Sequence, residues 1–188
     1  MVIWKEWKHD DDDSCAERNV GCIAALRNCC LLKFFHTPSM VSHERLLEHI
    51  LHMWNPEQQY FEVGAHVLTI EVEDIYFFTR LSRWGAPISL TGSHGRDVTT
   101  QELIDRYCLP STRTSGKKIP IKAVVDLPLC NILFTMQRLA RSQGPHQTSR
   151  AHMLYAIEAM APTFFNWAEA LLLVFKDHLT KCRHGELK

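Results

Sequence analysis

Residues 54–88, WNPEQQYFEVGAHVLTIEVEDIYFFTRLSRWGAPI, decide how this chain is put together. Asn55-Pro56 stops the helix before it, because a proline ring pushes the preceding residue out of the helical region. Tyr60–Val63 and residues 67–72 are runs of β-branched and aromatic side chains flanking Gly64-Ala65-His66. That pattern predicts a small β-hairpin near residues 59–72, turning on the glycine. From Glu73 the period shifts from two towards 3.6, placing Ile75, Phe78, Thr79 and Leu81 or Ser82 on one face of a short helix that Gly85 and Pro87 end. The unit is helix, hairpin, helix and loop, and no polar constellation in it is aimed at chemistry.

Upstream, residues 1–13 include the run Asp10-Asp11-Asp12-Asp13 and read as a flexible acidic tail. Ser14 and Glu17 form a capping-box pattern opening a helix that Ile23, Leu26, Cys30 and Phe34 carry along one face to Phe35. Residues 36–39 are a turn. After Ser42, Leu46, Leu47, Ile50, Leu51 and Trp54 share one apolar face of a second helix, leading into the hairpin.

Downstream, residues 89–98 read as a surface loop, and Thr99 with Glu102 makes another capping box, opening a helix through Tyr107 that Leu109-Pro110 closes. Residues 110–118 are polar and basic, 119–125 suit a short strand or an extended lead-in, and Asp126 with Pro128 starts a helix. Leu129, Ile132, Leu133, Met136, Leu139 and Ala140 are its apolar stripe, stopped near Gly144-Pro145. Thr148 or Ser149 caps the next helix, faced by Met153, Ala156, Ile157 and Met160. Thr163 starts the last, with Phe164, Trp167, Ala168, Leu171, Leu172, Phe175 and Leu179 as core candidates and Lys176, Lys181, Arg183 and His184 near its C-terminal, negative end. The expected fold is mainly α, one helical domain over residues 14–188 with the small hairpin inserted.

At 188 residues, 46% hydrophobic and 22% charged, the chain has the composition of a single globular domain. Its 21 basic and 21 acidic side chains balance, which weighs against a general phosphate-backbone binder. Seven cysteines, two of them adjacent at Cys29-Cys30, do not make a disulfide framework and suit a reducing compartment. Without a signal-peptide core or a long apolar run, the expectation is a soluble intracellular protein with no membrane association.

Trp54, Pro56, Glu57, Phe61, Gly64, Leu68, Thr69, Ile70, Val72, Glu73, Asp74, Ile75, Leu81, Gly85, Pro87 and Ile88 together follow a longer pattern. A helix ending in W-x-P-E, an aromatic strand, a glycine turn, a T-I-x-V/L-E-D-I/V step and a G-x-P-I/V loop resemble the opening of the plant mobile domain, over about residues 44–90. That family occurs in plant transposable elements and in host proteins resembling them, and its name carries the words "aminotransferase-like". The resemblance implies a nuclear, non-enzymatic protein-interaction module serving gene-silencing or genome-maintenance complexes. It supplies no catalytic residue. Glu71 departs from it, standing where the family has Ser, Thr or Asp, which are better N-caps. The family's domain is longer than this match, and the chain ends at Gly185-Glu186-Leu187-Lys188 without a distinct terminal element, so a fragment of a longer domain is expected.

Tests for enzyme chemistry return no site. Pyridoxal-phosphate catalysis needs an α/β framework and a buried lysine, and neither pattern occurs. Asp74, Asp97, Asp126 and Glu158 suit helix starts and solvated faces better than a two-metal nuclease, and no G-x-S-x-G elbow exists. Cys15, Cys22 and Cys29 line one helical stripe but lie ~10 Å apart in succession, too far to share zinc. Cys30 with His36, and His49 with His52, are further metal pairings, set aside for buried thiols and a solvated helix face. Neither a cofactor nor a small-molecule substrate is called for. The expected partners are other proteins or the rest of a longer parent chain, through Phe165, Leu173 or Val174 on a last helix that is apolar on more than one side. The alternative is a nucleic-acid-associated module using Arg106, Arg113, Lys117, Lys118 and Lys122.

Overall fold

The computed structural model of the chain describes residues 13–33, 43–90, 95–112, 118–139, 147–161 and 164–186, with side chains left out at 13–19 and 138. The acidic stretch 1–12, His36, Arg113, Lys117, Ala140, Thr163 and the side chains of Ser14, Cys15 and Glu17 lie outside these residues. In chain order the elements are α1 (Asp13–Asn28), α2 (Glu44–His52), β1 (Trp54–Asn55), β2 (Tyr60–Val63), β3 (His66–Leu68), α3 (Val72–Thr79), α4 (Thr100–Tyr107), β4 (Lys118–Pro120), a 3-10 turn (Ile121–Ala123), α5 (Leu127–Leu139), β5 (Gln147–Ser149), α6 (Arg150–Met160) and α7 (Trp167–Arg183). The fold is mainly α, with the hairpin where the sequence puts it.

The centre is α5. Its start follows from Asp126, whose Oδ1 accepts from the Leu129 amide at 2.9 Å, and its stripe of Leu129, Ile132, Leu133, Met136 and Leu139 is buried throughout. Helices α1 and α6 pack against it. Ahead of it, β4 pairs antiparallel with β5, Ile119 opposite Thr148. Thr148 is therefore a strand residue, and Ser149 is the cap of α6, its hydroxyl accepting from the His152 amide at 3.2 Å. The Thr99–Glu102 capping box forms as the spacing predicts, with the Thr99 amide donating to Glu102 Oε2 at 2.7 Å. That bond holds the Glu102 carboxyl below its ordinary range.

Helix α1 ends seven residues earlier than Phe35, at Asn28. Cys30 adopts φ 62°, the Cys30 amide bonds Arg27 O at 3.1 Å and the Leu31 amide bonds Leu26 O at 2.9 Å, which together close the helix as a Schellman motif. This turn aims the Cys29 carbonyl at Trp167, whose Nε1–H donates to it at 2.6 Å inside the core. Trp54 makes the corresponding contact at the other end of α7, donating to Thr180 Oγ1 at 3.2 Å. Its ring lies 4.9 Å from that of Phe61, so the hairpin sheet, ordered β1-β2-β3, hangs from α7 by one tryptophan.

Several sequence assignments shift. On α2 the apolar face exists but little covers it: Leu46, Leu47 and Ile50 are exposed, and Trp54 just beyond is the residue that buries. The hairpin's second strand is shorter than residues 67–72. Helix α3 turns Val72, Ile75 and Tyr76 onto the core; Phe78 is on the outer side. It ends at Thr79, with Arg80 at φ 59° as a left-handed cap, before Gly85 and Pro87 are reached. The last helix begins at Trp167 rather than Thr163, because Asn166 caps it, its Oδ1 accepting from the Glu169 amide at 3.0 Å. Phe164 precedes the cap and stays exposed.

Three outcomes follow. Gly85 has φ 121°, and a Cβ there would fall on the Phe164 carbonyl and 2.9 Å from the Phe165 carbonyl carbon. Gly85→Ala should lower unfolding free energy by about 2–4 kcal/mol, whereas Gly64→Val, at φ 63° in open space, should cost about 1–2 kcal/mol from backbone strain alone; urea midpoints measure both. His152 is half-buried with Nε2 2.6 Å from Leu90 O, so Nε2 carries the proton and donates. Burial lowers its pKa below 6.5, outweighing that bond. The unfolded chain then takes up the proton first, so this contribution to stability is full above about pH 6.5 and drains as pH falls below it. Urea titrations from pH 7.5 down to 5 should show a shallower loss in His152→Gln than in the wild type.

Candidate functional site

Helix α3 has two sides that are both apolar, and eight residues can bury only one. With Val72, Ile75 and Tyr76 against the core, Phe77 and Phe78 point outward, rings 5.6 Å apart and edge to face. The left-handed turn at Arg80 brings its guanidinium back over Phe77, 5.3 Å from the centroid, and over Tyr76 at 6.0 Å. Arg83 lies over Tyr76 at 5.2 Å and over Trp84 at 4.9 Å, and its Nη1 reaches Glu73 Oε1 at 3.2 Å. The result is a continuous array, Phe78, Phe77, Arg80, Tyr76, Arg83, Trp84, in which each guanidinium is held between rings by cation–π attraction.

The loop carrying Trp84 is sutured to the start of α7. The Ala86 amide donates to Phe164 O at 2.8 Å, the Asn166 amide to Ala86 O at 3.0 Å and the Ala168 amide to Ser82 O at 2.9 Å. Ser82 Oγ also donates to Trp84 O at 2.9 Å, and Leu81 anchors the loop in the core. Phe164 is thereby fixed beside Gly85 and Ala86. Phe77, Phe78, Trp84 and Phe164 are between 59% and 72% exposed. Apolar surface of this kind, contiguous and rimmed by charge, marks an interaction site on folded proteins.

The residues singled out from sequence fare differently. Phe165 and Val174 are 3% and 2% exposed, which corrects their assignment to an interface. Phe165 packs its ring against Tyr155 and Trp167, each 5.8 Å away, and Val174 belongs to the same core. Leu173, at 52% exposed, is the one of the three that a partner can touch. Of the basic set, Arg113 and Lys117 lie outside the described residues. Arg106, Lys118 and Lys122 are exposed and sit on three separate elements, α4, β4 and the 3-10 turn.

Among the described residues no three His, Cys, Asp or Glu side chains gather as a metal site. His52 Nδ1 instead accepts from Arg183 Nη1 at 2.9 Å. Burial raises the thiols of Cys22, Cys29 and Cys130, the last two to about 12 and about 11, so they remain protonated and poorly nucleophilic. Among the described residues no helix is long and apolar enough to cross a membrane.

The sequence reading missed the array because it assigned Phe78 to the buried face and gave Arg80, Arg83 and Trp84 no role. The signal was available in YFFTRLSRW, residues 76–84, where four aromatic side chains crowd an eight-residue helix and the turn after it. In comparisons with known proteins, no family model, no curated protein and no solved structure matches the chain.

Proposed function

We propose that this chain is a non-enzymatic protein-interaction module, the role that its resemblance to the plant mobile domain implies, acting within nuclear gene-silencing or genome-maintenance complexes. The observation that carries the reading is the exposed arginine–aromatic array of α3 and the following loop. Rigid aromatic side chains with stacked guanidiniums are the residue types that dominate the energy of protein interfaces. A phosphate backbone is a poorer fit. Arg80 and Arg83 are the basic side chains of the array, Glu73 already pairs with Arg83, and Glu71 at the N-cap and Asp74 in the first turn of the helix add further negative charge. The uncovered faces of α2 and of Leu173 supply additional apolar area of the same kind.

The test is quantitative affinity purification from nuclear extract with wild type, Trp84→Ala and Phe77→Ser, after circular dichroism has shown equal helix content. Partners that bind this surface should fall by tenfold or more in both variants, in keeping with about 1.4 kcal/mol or more per anchor. Identical recoveries from all three proteins would refute the assignment. Tight binding of single-stranded DNA that weakens steeply with salt and is lost in Arg80→Ala would replace it with a nucleic-acid role.

A further inference from the structure

A different surface has its own geometric logic. The hairpin sheet ends in β3, and β2 fixes which backbone groups face that open edge. In an antiparallel strand each residue sends its N–H and C=O to the same side, and successive residues alternate. The Glu62 amide donates to Met53 O at 2.8 Å, so Glu62 addresses β1, and its neighbours Phe61 and Val63 address β3. Their partners are Leu68 and His66, while Glu62 stands opposite Val67. Val67 therefore turns its N–H and C=O away from β2, outward along the free edge. All three residues of β3 are exposed, as is Val63.

Sheet edges are normally protected by shortness, lysine, proline, bulges or covering elements. This edge is short but has no lysine, proline or bulge, and residues 63–70, VGAHVLTI, contain no Asp, Glu, Lys or Arg. A strand that pairs with its own copy across a twofold axis brings the residue on the axis opposite itself, so a charge at the centre would forbid the contact. Here the centre is an uncharged valine whose outward donor and acceptor complement themselves.

We infer that β3 is a self-association edge whose occupant is a second copy of this chain, paired antiparallel about a twofold axis through Val67. Val67 N–H of each copy donates to Val67 C=O of the other, and the two three-stranded sheets become one six-stranded sheet. A strand this short buries less than the ~1,200 Å² of a stable interface, so the dimer is weak and concentration-dependent. The inference is independent of the α3 array, since Val67 belongs to neither that helix nor its loop.

Sedimentation velocity across a concentration series tests it. Wild type should move from the 21.7 kDa monomer towards twice that mass. Val67→Lys and Val67→Glu, exposed substitutions whose folding circular dichroism verifies, should each raise the dissociation constant at least tenfold. Mixing the two variants should restore a heterodimer, because opposite charges then meet across the axis, and salt should weaken that heterodimer but not the wild type. A wild type that stays monomeric at millimolar concentration overturns the inference. So does a dimer unaffected by either variant, or a Lys/Glu mixture that fails to associate.

Discussion

The hydrogen bond from Trp167 to the Cys29 carbonyl is the constraint on which the architecture depends. A buried indole N–H must find an acceptor, and a buried carbonyl at a helix end must find a donor. Here each satisfies the other across 138 residues of chain, which is possible because the Schellman turn at Cys30 frees that carbonyl from α1. Asn166 caps α7 one residue before that tryptophan, so the bond ties the head of α7 to the end of α1. Helix α3, the hairpin and the loop from Ser82 to Ala86 all lean on α7.

Trp54 gives the second fixed point, and the two explain why so small a sheet is ordered. A hairpin of this length is barely stable alone. Trp54 is fully buried against Phe61, and its N–H is occupied by Thr180, so the sheet borrows its stability from the helix behind it. Its other face and its last strand are left to solvent.

Local chemistry was legible and long-range competition was not. The capping box at Thr99, the aspartate at the start of α5, the glycine turn and the α5 stripe all depend on residues no more than four positions from the next, and the structure places each where spacing does. The misplaced features turn on which of two apolar faces wins. Periodicity put Phe78 in the core, but Val72, Ile75 and Tyr76 reach α7 first. It gave α2 a core face too, although the rest of the chain buries only Trp54 beyond the helix end. Phe164 and Phe165 differ by one position, and it is Phe165, bridged to Ala86 and packed on Tyr155 and Trp167, that turns inward. The exposed array could be suspected from aromatic density, but its interleaving with arginine depends on the left-handed turn at Arg80, a conformation that an arginine in the sequence does not announce.

The suture between the Ser82–Ala86 loop and the head of α7 also has a thermodynamic side. Side chains on a free loop lose rotational and backbone freedom when a partner captures them, and that loss subtracts from affinity. Here the backbone is already immobilised by three amide bonds to residues 164–168 at the head of α7, and both guanidiniums already lie over rings. Folding has absorbed most of the ordering cost in advance, so a partner meets a preorganised surface whose recognition resembles the fit of one rigid body to another.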